Sequence, residues 1–240
     1  MRKSLLTLVT VLLALNIYAV DIPKQGLGFQ IGWAQPILRV NVPGNIANKD
    51  SLSRNVHLNG FKVGLFYDAS YIAGFGSSIG INYTFGANNS GWTSDNIYKM
   101  EYPRSRRFVT YHELEVFVDW QYKFEIAKET YLMLTTGPTI QCGIAMDMRS
   151  DYQKEEGQPY EPKYFSGFSD DEPDQSFKRI NVTWGIGAGF QYKRYFLRGG
   201  YDFGLLVPYK NTDFENGGYH TRGRLDQWSI RIGMYLWYDD

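Results

Sequence analysis

The segment 180–192 alternates between two kinds of side chain without a break. Even positions from Ile180 to Tyr192 are apolar or aromatic, and the odd positions between them are glycine or polar. Because neighbouring side chains of a β-strand point to opposite faces, this segment predicts a strand with one apolar face and one slim polar face. The same pattern returns along the chain, so it constrains the fold more than any other feature.

The alternation predicts eight strands. Their ranges are 26–35, 57–68, 75–87, 109–123, 130–145, 178–193, 195–208 and 224–238. Short connections at 69–74, 124–129 and 193–194 alternate with long ones at 36–56, 88–108, 146–177 and 209–223. This arrangement is typical of an all-β, eight-stranded antiparallel up-and-down transmembrane β-barrel, with short turns at one end and long loops at the other.

Composition favours a barrel in a membrane over a soluble one. The polar face is rich in glycine, serine, threonine and asparagine, whereas a water-facing surface normally carries more lysine and glutamate. Aromatic residues near the short-turn end predict an interfacial girdle: they are Tyr67, Phe75, Tyr122, Tyr131, Tyr192, Tyr195 and Tyr238. The alternative is a soluble barrel of the lipocalin kind, whose apolar face would line a cavity.

The first residues predict export. Arg2 and Lys3 precede an apolar stretch at 5–15, and Ala19 offers a small residue for cleavage. We therefore expect a signal peptide at 1–19, a barrel domain at 20–240 and an address in the outer membrane of a Gram-negative cell. Formal net charge is zero, with 25 basic and 25 acidic residues, so nothing predicts a nucleic-acid partner.

The whole barrel region resembles the small outer-membrane β-barrel proteins common in Bacteroidetes, which include PorT-like proteins, and its architecture is similar to the OmpA and OmpX type. The end of the chain, 233–238, resembles the C-terminal signal read by the barrel-assembly machinery. It departs from that signal at Ile232, where a polar residue is usual, and in the two aspartates that follow Tyr238. The resemblance implies that the assembly machinery is a partner, together with envelope or secretion proteins.

Polar residues on the slim face should fill the lumen. The predicted cluster comprises Lys62, Glu113, Glu115, Asp119, Arg198, Asp202 and Arg231. An eight-stranded barrel is only wide enough for side chains, and buried charges need partners. Bulky residues on the same face should plug the short-turn half: Phe66, Phe117, Tyr235 and Trp237. We expect a closed lumen, and the alternative is a gated ion path through the same charges.

The long connections hold the remaining candidates. Arg104, Arg106 and Arg107, at the end of the second long connection, are candidates for contact with phosphate groups of outer-membrane lipid and lipopolysaccharide. The connection 146–177 carries nine acidic and three basic residues. It is expected to be a solvated loop, and a divalent-cation site is the alternative.

No arrangement of residues predicts catalysis or a cofactor. The three histidines, His57, His112 and His220, lie near the loop end. His112 and Glu113 are adjacent in a strand and should face opposite sides, so they cannot act as an acid–base pair. The expected function is therefore non-enzymatic, in envelope structure or surface interaction through the loops. The alternatives are a PorT-like accessory of protein secretion or transport and an outer-membrane lipid-modifying enzyme.

Overall fold

The computed structural model describes residues 25–41, 55–72, 74–89, 104–153, 157–169, 177–208 and 222–238. They form ten strands: β1 (Gln25–Asn41), β2 (Asn55–His57), β3 (Asn59–Ile72), β4 (Phe75–Asn89), β5 (Arg104–Ala127), β6 (Thr130–Gln153), β7 (Glu161–Ser166), β8 (Ile180–Tyr192), β9 (Tyr195–Gly204) and β10 (Arg222–Tyr238). The predicted signal peptide at 1–19 lies outside the described residues. Nowhere in the described ranges is there a helix with the length and apolarity needed to cross a membrane.

Eight of the strands close into an antiparallel ring. Their order is β1, β3, β4, β5, β6, β8, β9 and β10, and β10 pairs back to β1. The short β2 lies beside the outer part of β1, where it continues the line of β3, and β7 pairs with β6. The prediction of an all-β, eight-stranded up-and-down barrel is confirmed.

The turns at one end are tighter than the sequence suggested. Residues 128–129 join β5 to β6 and residues 193–194 join β8 to β9. Glu129 and Lys193 adopt φ values of 57° and 52° there, in the left-handed region that tight hairpin turns require. The predicted connection at 124–129 is therefore mostly strand, whereas the turn at 193–194 is confirmed.

At the opposite end most strands are longer than predicted, whereas β8 begins at Ile180 and β9 ends at Gly204, inside their predicted ranges of 178–193 and 195–208. β5 and β6 have 24 residues each, so they run past the predicted ends at 109 and 145. β7 adds a third strand, pairing Asp147 with Ser166 and Tyr152 with Glu161. We call residues 104–112, 145–153 and 161–166 the outer platform. The prediction of a loop throughout 146–177 is wrong for these residues, because backbone pairing continues after the apolar alternation has ended.

The two faces of the ring are inverted relative to a soluble protein. Leu65 is 54% exposed on the outer surface, whereas Lys62 on the inner surface is 2% exposed. Every strand of the ring carries exposed apolar residues on its outer face, and most polar residues of the inner face are buried like Lys62. Such an apolar outer band is what lipid requires, and it excludes the lipocalin-like alternative.

Two predicted side-chain directions are wrong. Leu27 pairs with Trp237 and Gly28 pairs with Tyr235, so β10 carries one extra residue at a bulge. The bulge turns Trp237 outward, where it is 48% exposed. Tyr131 is 5% exposed and lies on the inner face with Met133, so it does not belong to the aromatic girdle.

Packing inside the ring gives a test of the fold. A Cβ added at Gly28 would collide with the ring of Phe66, whereas at Gly199 the nearest atom outside the adjacent residues is the Ser229 carbonyl oxygen at 3.8 Å. We expect Gly28→Ala to lower the free energy of unfolding by about 1–3 kcal/mol, the usual cost of overpacking. Gly199→Ala is the matched control and should change it far less. Urea titration of both variants in lipid vesicles measures the difference, and equal losses would contradict the packing.

Candidate functional site

An aromatic plug fills the lumen at the short-turn end. It consists of Phe66, Phe117, Met133, Phe196 and Tyr235, all buried. The Phe66 ring meets the rings of Phe196 and Tyr235 edge-on, with centroids 5.2 and 5.4 Å apart. The predicted plug is confirmed for Phe66, Phe117 and Tyr235 and wrong for Trp237, which faces outward. Phe196 was missed, although strand alternation places it on the inner face between outward Tyr195 and Leu197.

A buried ion group is built into this plug. Asp68 Oδ2 lies 3.0 Å from Arg198 Nη2 and 3.3 Å from Lys123 Nζ, and it accepts a hydrogen bond of 2.5 Å from the Tyr235 hydroxyl. The Arg198 guanidinium also lies over the rings of Phe66 and Phe196. Arg198 was predicted to face the lumen, whereas Asp68 and Lys123 were missed. Both occupy inward positions of their strands, so the alternation could have found them.

A second polar group occupies the outer half of the lumen. Lys62 Nζ lies 2.7 Å from Glu115 Oε2, and Thr84 donates to Glu115 Oε1 at 2.9 Å. The Gln227 amide, from across the barrel, donates to Glu113 Oε1 at 2.6 Å and to Glu115 Oε1 at 3.0 Å. The structure thus brings together three of the predicted lumen residues and adds an amide that links β10 to β5.

The other predicted lumen charges lie between these two groups. Arg231 donates to Gln30 Oε1 at 3.4 Å, and Asp119 and Asp202 are partly buried on the inner face. A Cβ at Gly185 would collide with the Asp202 carboxylate, so this inward glycine makes room for a charged side chain. All seven predicted residues therefore face the lumen, but they form separate groups and not one cluster.

An apolar lid lies above the outer polar group. It comprises Leu38, Leu58, Val109, Tyr111, Met146, Phe168, Phe177 and Leu225. Phe168 and Phe177 come from the chain around β7, between β6 and β8, and the Phe168 ring packs 6.4 Å from that of Tyr111. The polar interior therefore has an aromatic plug at one end and an apolar lid at the other.

The outer platform carries a cluster of arginines around one buried carboxylate. Asp151 binds Arg106 Nε and Arg149 Nε, each at 2.7 Å. Both guanidinium groups lie over the rings of Phe108 and Tyr160. We call these five residues the platform cluster. The hydrogen bond to Asp151 raises the pKa of the Arg149 guanidinium above its ordinary value, so this arginine stays charged.

The three arginines predicted as one group do not act together. All three lie in β5 and not in a loop, because the platform extends the strand. Arg106 and Arg107 are adjacent in that strand and face opposite sides, and the side chain of Arg104 lies outside the described residues. Arg149, and not Arg107, joins Arg106 around Asp151. It was missed because it sits in the acid-rich stretch 146–177, whose residues 154–156 and 170–176 lie outside the described part.

A similar cluster lies on the outer surface at β1, β9 and β10. Asp226 accepts hydrogen bonds from Arg39 Nε at 2.5 Å, Arg224 Nε at 3.0 Å and the Tyr201 hydroxyl at 2.5 Å. Its other oxygen accepts from the Gly204 backbone N–H at 2.9 Å. We call Arg39, Tyr201, Arg224 and Asp226 the rim cluster. Sequence reasoning missed it, because its members lie far apart in the chain.

His112 and its neighbour Glu113 do not form an acid–base pair. His112 faces outward, where its Nδ1 is 2.6 Å from the Tyr83 hydroxyl, whereas Glu113 faces the lumen. The prediction that the two residues face opposite sides is confirmed. His57 is exposed, and His220 lies outside the described residues.

Comparison with known proteins identifies the family. The model of the family described as outer membrane protein beta-barrel domain matches residues 26–206. Among solved structures, the chain is similar to Ail, the attachment invasion locus protein of Yersinia pestis, in complex with the heparin analogue sucrose octasulfate (12% identity, 90% of this chain, 100% of that chain, TM-score 0.39). It is also similar to Neisserial surface protein A (10% identity, 87% and 97%, TM-score 0.40). No curated protein matches the chain.

The Asp68 ion group gives a second test. Replacing Asp68 by Asn leaves Lys123 and Arg198 without their buried counter-charge, so we expect the free energy of unfolding to fall by about 3–5 kcal/mol. Glu129→Gln is the control: its partner Lys193 is 3.8 Å away and both side chains are over half exposed. That change should cost at most about 1 kcal/mol. Urea titration in vesicles compares them, and a small loss at Asp68 would contradict the assigned ion group.

Proposed function

The chain belongs to the family of outer membrane protein β-barrel domains, and on that premise we propose that it is a closed, non-enzymatic barrel that acts at the cell surface through its outer platform. Its role would lie in envelope structure or in surface interaction. The observation that carries this proposal is the filled lumen, because a barrel without a path for solutes must act through its surfaces.

The contents of the lumen support a non-conducting barrel. The plug around Phe66 and the lid around Phe168 lie at opposite ends of the polar interior. The charges between them engage one another across the barrel, as in the contact from Gln227 to Glu113. An ion entering this space would have to displace those partners, and unpaired buried charges are costly.

The outer platform supports a role in surface interaction. It is a hydrogen-bonded sheet, so it holds its side chains in a fixed arrangement. Tyr164 is 71% exposed on it, and the Arg149 guanidinium lies over the Tyr164 ring. A groove of about 410 Å³ beside them is lined by Phe108, Thr110, Asp147, Met148, Arg149, Tyr164 and Ser166. Exposed aromatic residues and arginines are enriched where proteins bind other macromolecules.

The closed lumen predicts a simple electrical result. The purified full chain, inserted into planar lipid bilayers, should give no stable single-channel steps, because the plug and the lid block the lumen. As a positive control, Phe66→Ala/Tyr235→Ala/Phe168→Ala removes rings from both ends and should conduct, provided that gel mobility before and after heating shows a folded barrel. Stable steps from the unaltered chain would contradict the proposal and favour the gated ion path.

A gene deletion distinguishes this function from the two alternative functions. We expect the deletion to weaken the envelope barrier, measured as sensitivity to detergent, while secreted proteins and lipid A remain unchanged. Wild-type protein should restore the barrier, whereas the platform variant Arg149→Ala/Tyr164→Ala should not. Lys163→Ala is the control and should restore it, because Lys163 faces the opposite side of β7 from Tyr164 and does not line the groove. Loss of secreted cargo would instead favour a PorT-like accessory, and altered lipid A a lipid-modifying enzyme.

A further inference from the structure

The rim cluster has no part in the closed lumen or the outer platform, and its surroundings suit a charged ligand. We propose that Arg39 and Arg224 bind a phosphate group of an outer-leaflet lipid, with Asp226 and Tyr201 holding the two guanidinium groups in place. This site goes beyond the proposed function, because a closed barrel could act through its platform with or without bound lipid.

The position of the cluster in the membrane is the first argument. Asp226 is the outward residue that follows Trp228 toward the loop end of β10, and Trp228 is the last large apolar residue of that strand's outer face. At about 3.4 Å per residue and a tilt of about 40°, Asp226 lies roughly 5 Å above Trp228. Since short turns face the periplasm in such barrels, this is the headgroup level of the outer leaflet.

The neighbours of the cluster show that lipid reaches this height. Leu205 and Leu206 are exposed directly after Gly204, whose N–H binds Asp226. Trp228 is exposed beneath the cluster, with its ring 4.5 Å from that of Tyr201. Exposed leucines and an interfacial tryptophan around a charged group mark the boundary between acyl chains and headgroups. A ligand there would be a lipid and not a solute.

The charges of the cluster suit an anion. Two guanidinium groups share one carboxylate, so one positive charge is left over. Their side chains are 36% and 46% exposed, whereas that of Asp226 is fully covered. Arginine presents a fork of donors that matches phosphate oxygens. Among the described residues, Asp226 accepts from the Nε of each guanidinium and the Tyr201 hydroxyl accepts from Nη2 of Arg39 at 3.0 Å, so the other Nη donors of both arginines are left for phosphate.

Asp226 itself is arranged to stay ionised. Above the apolar band, its burial opposes its charge. Hydrogen bonds from the Tyr201 hydroxyl, the Gly204 backbone N–H and Arg39 outweigh that effect and lower the pKa of its carboxyl below the ordinary value. The carboxylate therefore remains a fixed acceptor that orients both arginines, and it reduces the entropy that they would lose on binding phosphate.

The platform cluster provides a built-in comparison. It has the same composition, two arginines around a covered aspartate with a tyrosine nearby. Leu114 is the last apolar residue of the outer face of β5 within the band, and Arg106 lies eight residues beyond it. Arg106 is therefore roughly 20 Å above Leu114 along the barrel axis. The lipid-phosphate contact predicted for Arg104, Arg106 and Arg107 therefore belongs, in our proposal, to Arg39 and Arg224.

The experiment measures lipid retained by the full chain. The protein is placed in nanodiscs of zwitterionic lipid that contain bis-phosphorylated lipid A or its dephosphorylated form, and bound lipid A is counted by native mass spectrometry. Arg39→Gln/Arg224→Gln should reduce binding of the phosphorylated form at least about tenfold and leave the dephosphorylated form unchanged. Arg106→Gln/Arg149→Gln, the same change in the platform cluster, should reduce neither.

Four results would overturn the proposal: no change in the rim variant, an equal loss of both lipid forms, the same loss in the platform variant, or full competition by inorganic phosphate. In a separate measurement, inorganic phosphate is added as a competitor of phosphorylated lipid A. If it competed fully at millimolar concentration, the site would be a general anion site and not a lipid site. Gel mobility before and after heating confirms a folded barrel for each variant. If the double variant does not fold, Arg39→Lys/Arg224→Lys takes its place, because it keeps the charges but loses the forked donors of arginine. Binding of phosphorylated lipid A should then fall severalfold.

Discussion

The hydrogen-bonded ladder between β1 and β10 is the contact on which the rest of the structure depends. It joins Gly26 to Tyr238 at one end and Asn41 to Arg222 at the other, and so closes the ring. In lipid, backbone groups have no water to bind, so an open edge is not tolerated and the sheet must close. Eight strands then fix a narrow lumen, and every inward side chain has to fit within it.

Closure explains why the lumen holds glycines beside charges. Inward space is scarce, so a large side chain on one strand needs a glycine opposite, as Asp202 does at Gly185 and Phe66 at Gly28. The charges cannot reach bulk water and therefore pair with one another, as in the group around Asp68. These pairs join strands that are distant in sequence, so the contents that block the lumen also hold the wall together.

Sequence alternation predicted most of the barrel because lipid and a narrow lumen impose a strict period of two. The barrel, its strands and the inward direction of Lys62, Glu113 and Arg198 followed from that period alone. It failed where another rule applies: the bulge that turns Trp237 outward comes from a pairing with Leu27, which no local pattern records. The outer platform was missed because, above the membrane, lipid no longer requires apolar residues on the outer face, so the alternation fades while backbone pairing continues.

The two arginine clusters show why a site cannot be derived from residue types alone. Asp151 and Asp226 each hold two guanidinium groups, and both lie on the outward face of the sheet. Trp228, Leu205 and Leu206 surround one, whereas exposed Tyr164 lies beside the other, on a strand that pairs only with β6. Water and salt weaken the attraction between an exposed arginine and an anion, whereas the lower dielectric constant at a lipid boundary strengthens it. Two clusters of the same residue types therefore bind anions differently at the two heights. The position of each cluster relative to the apolar band therefore determines which partner it can bind.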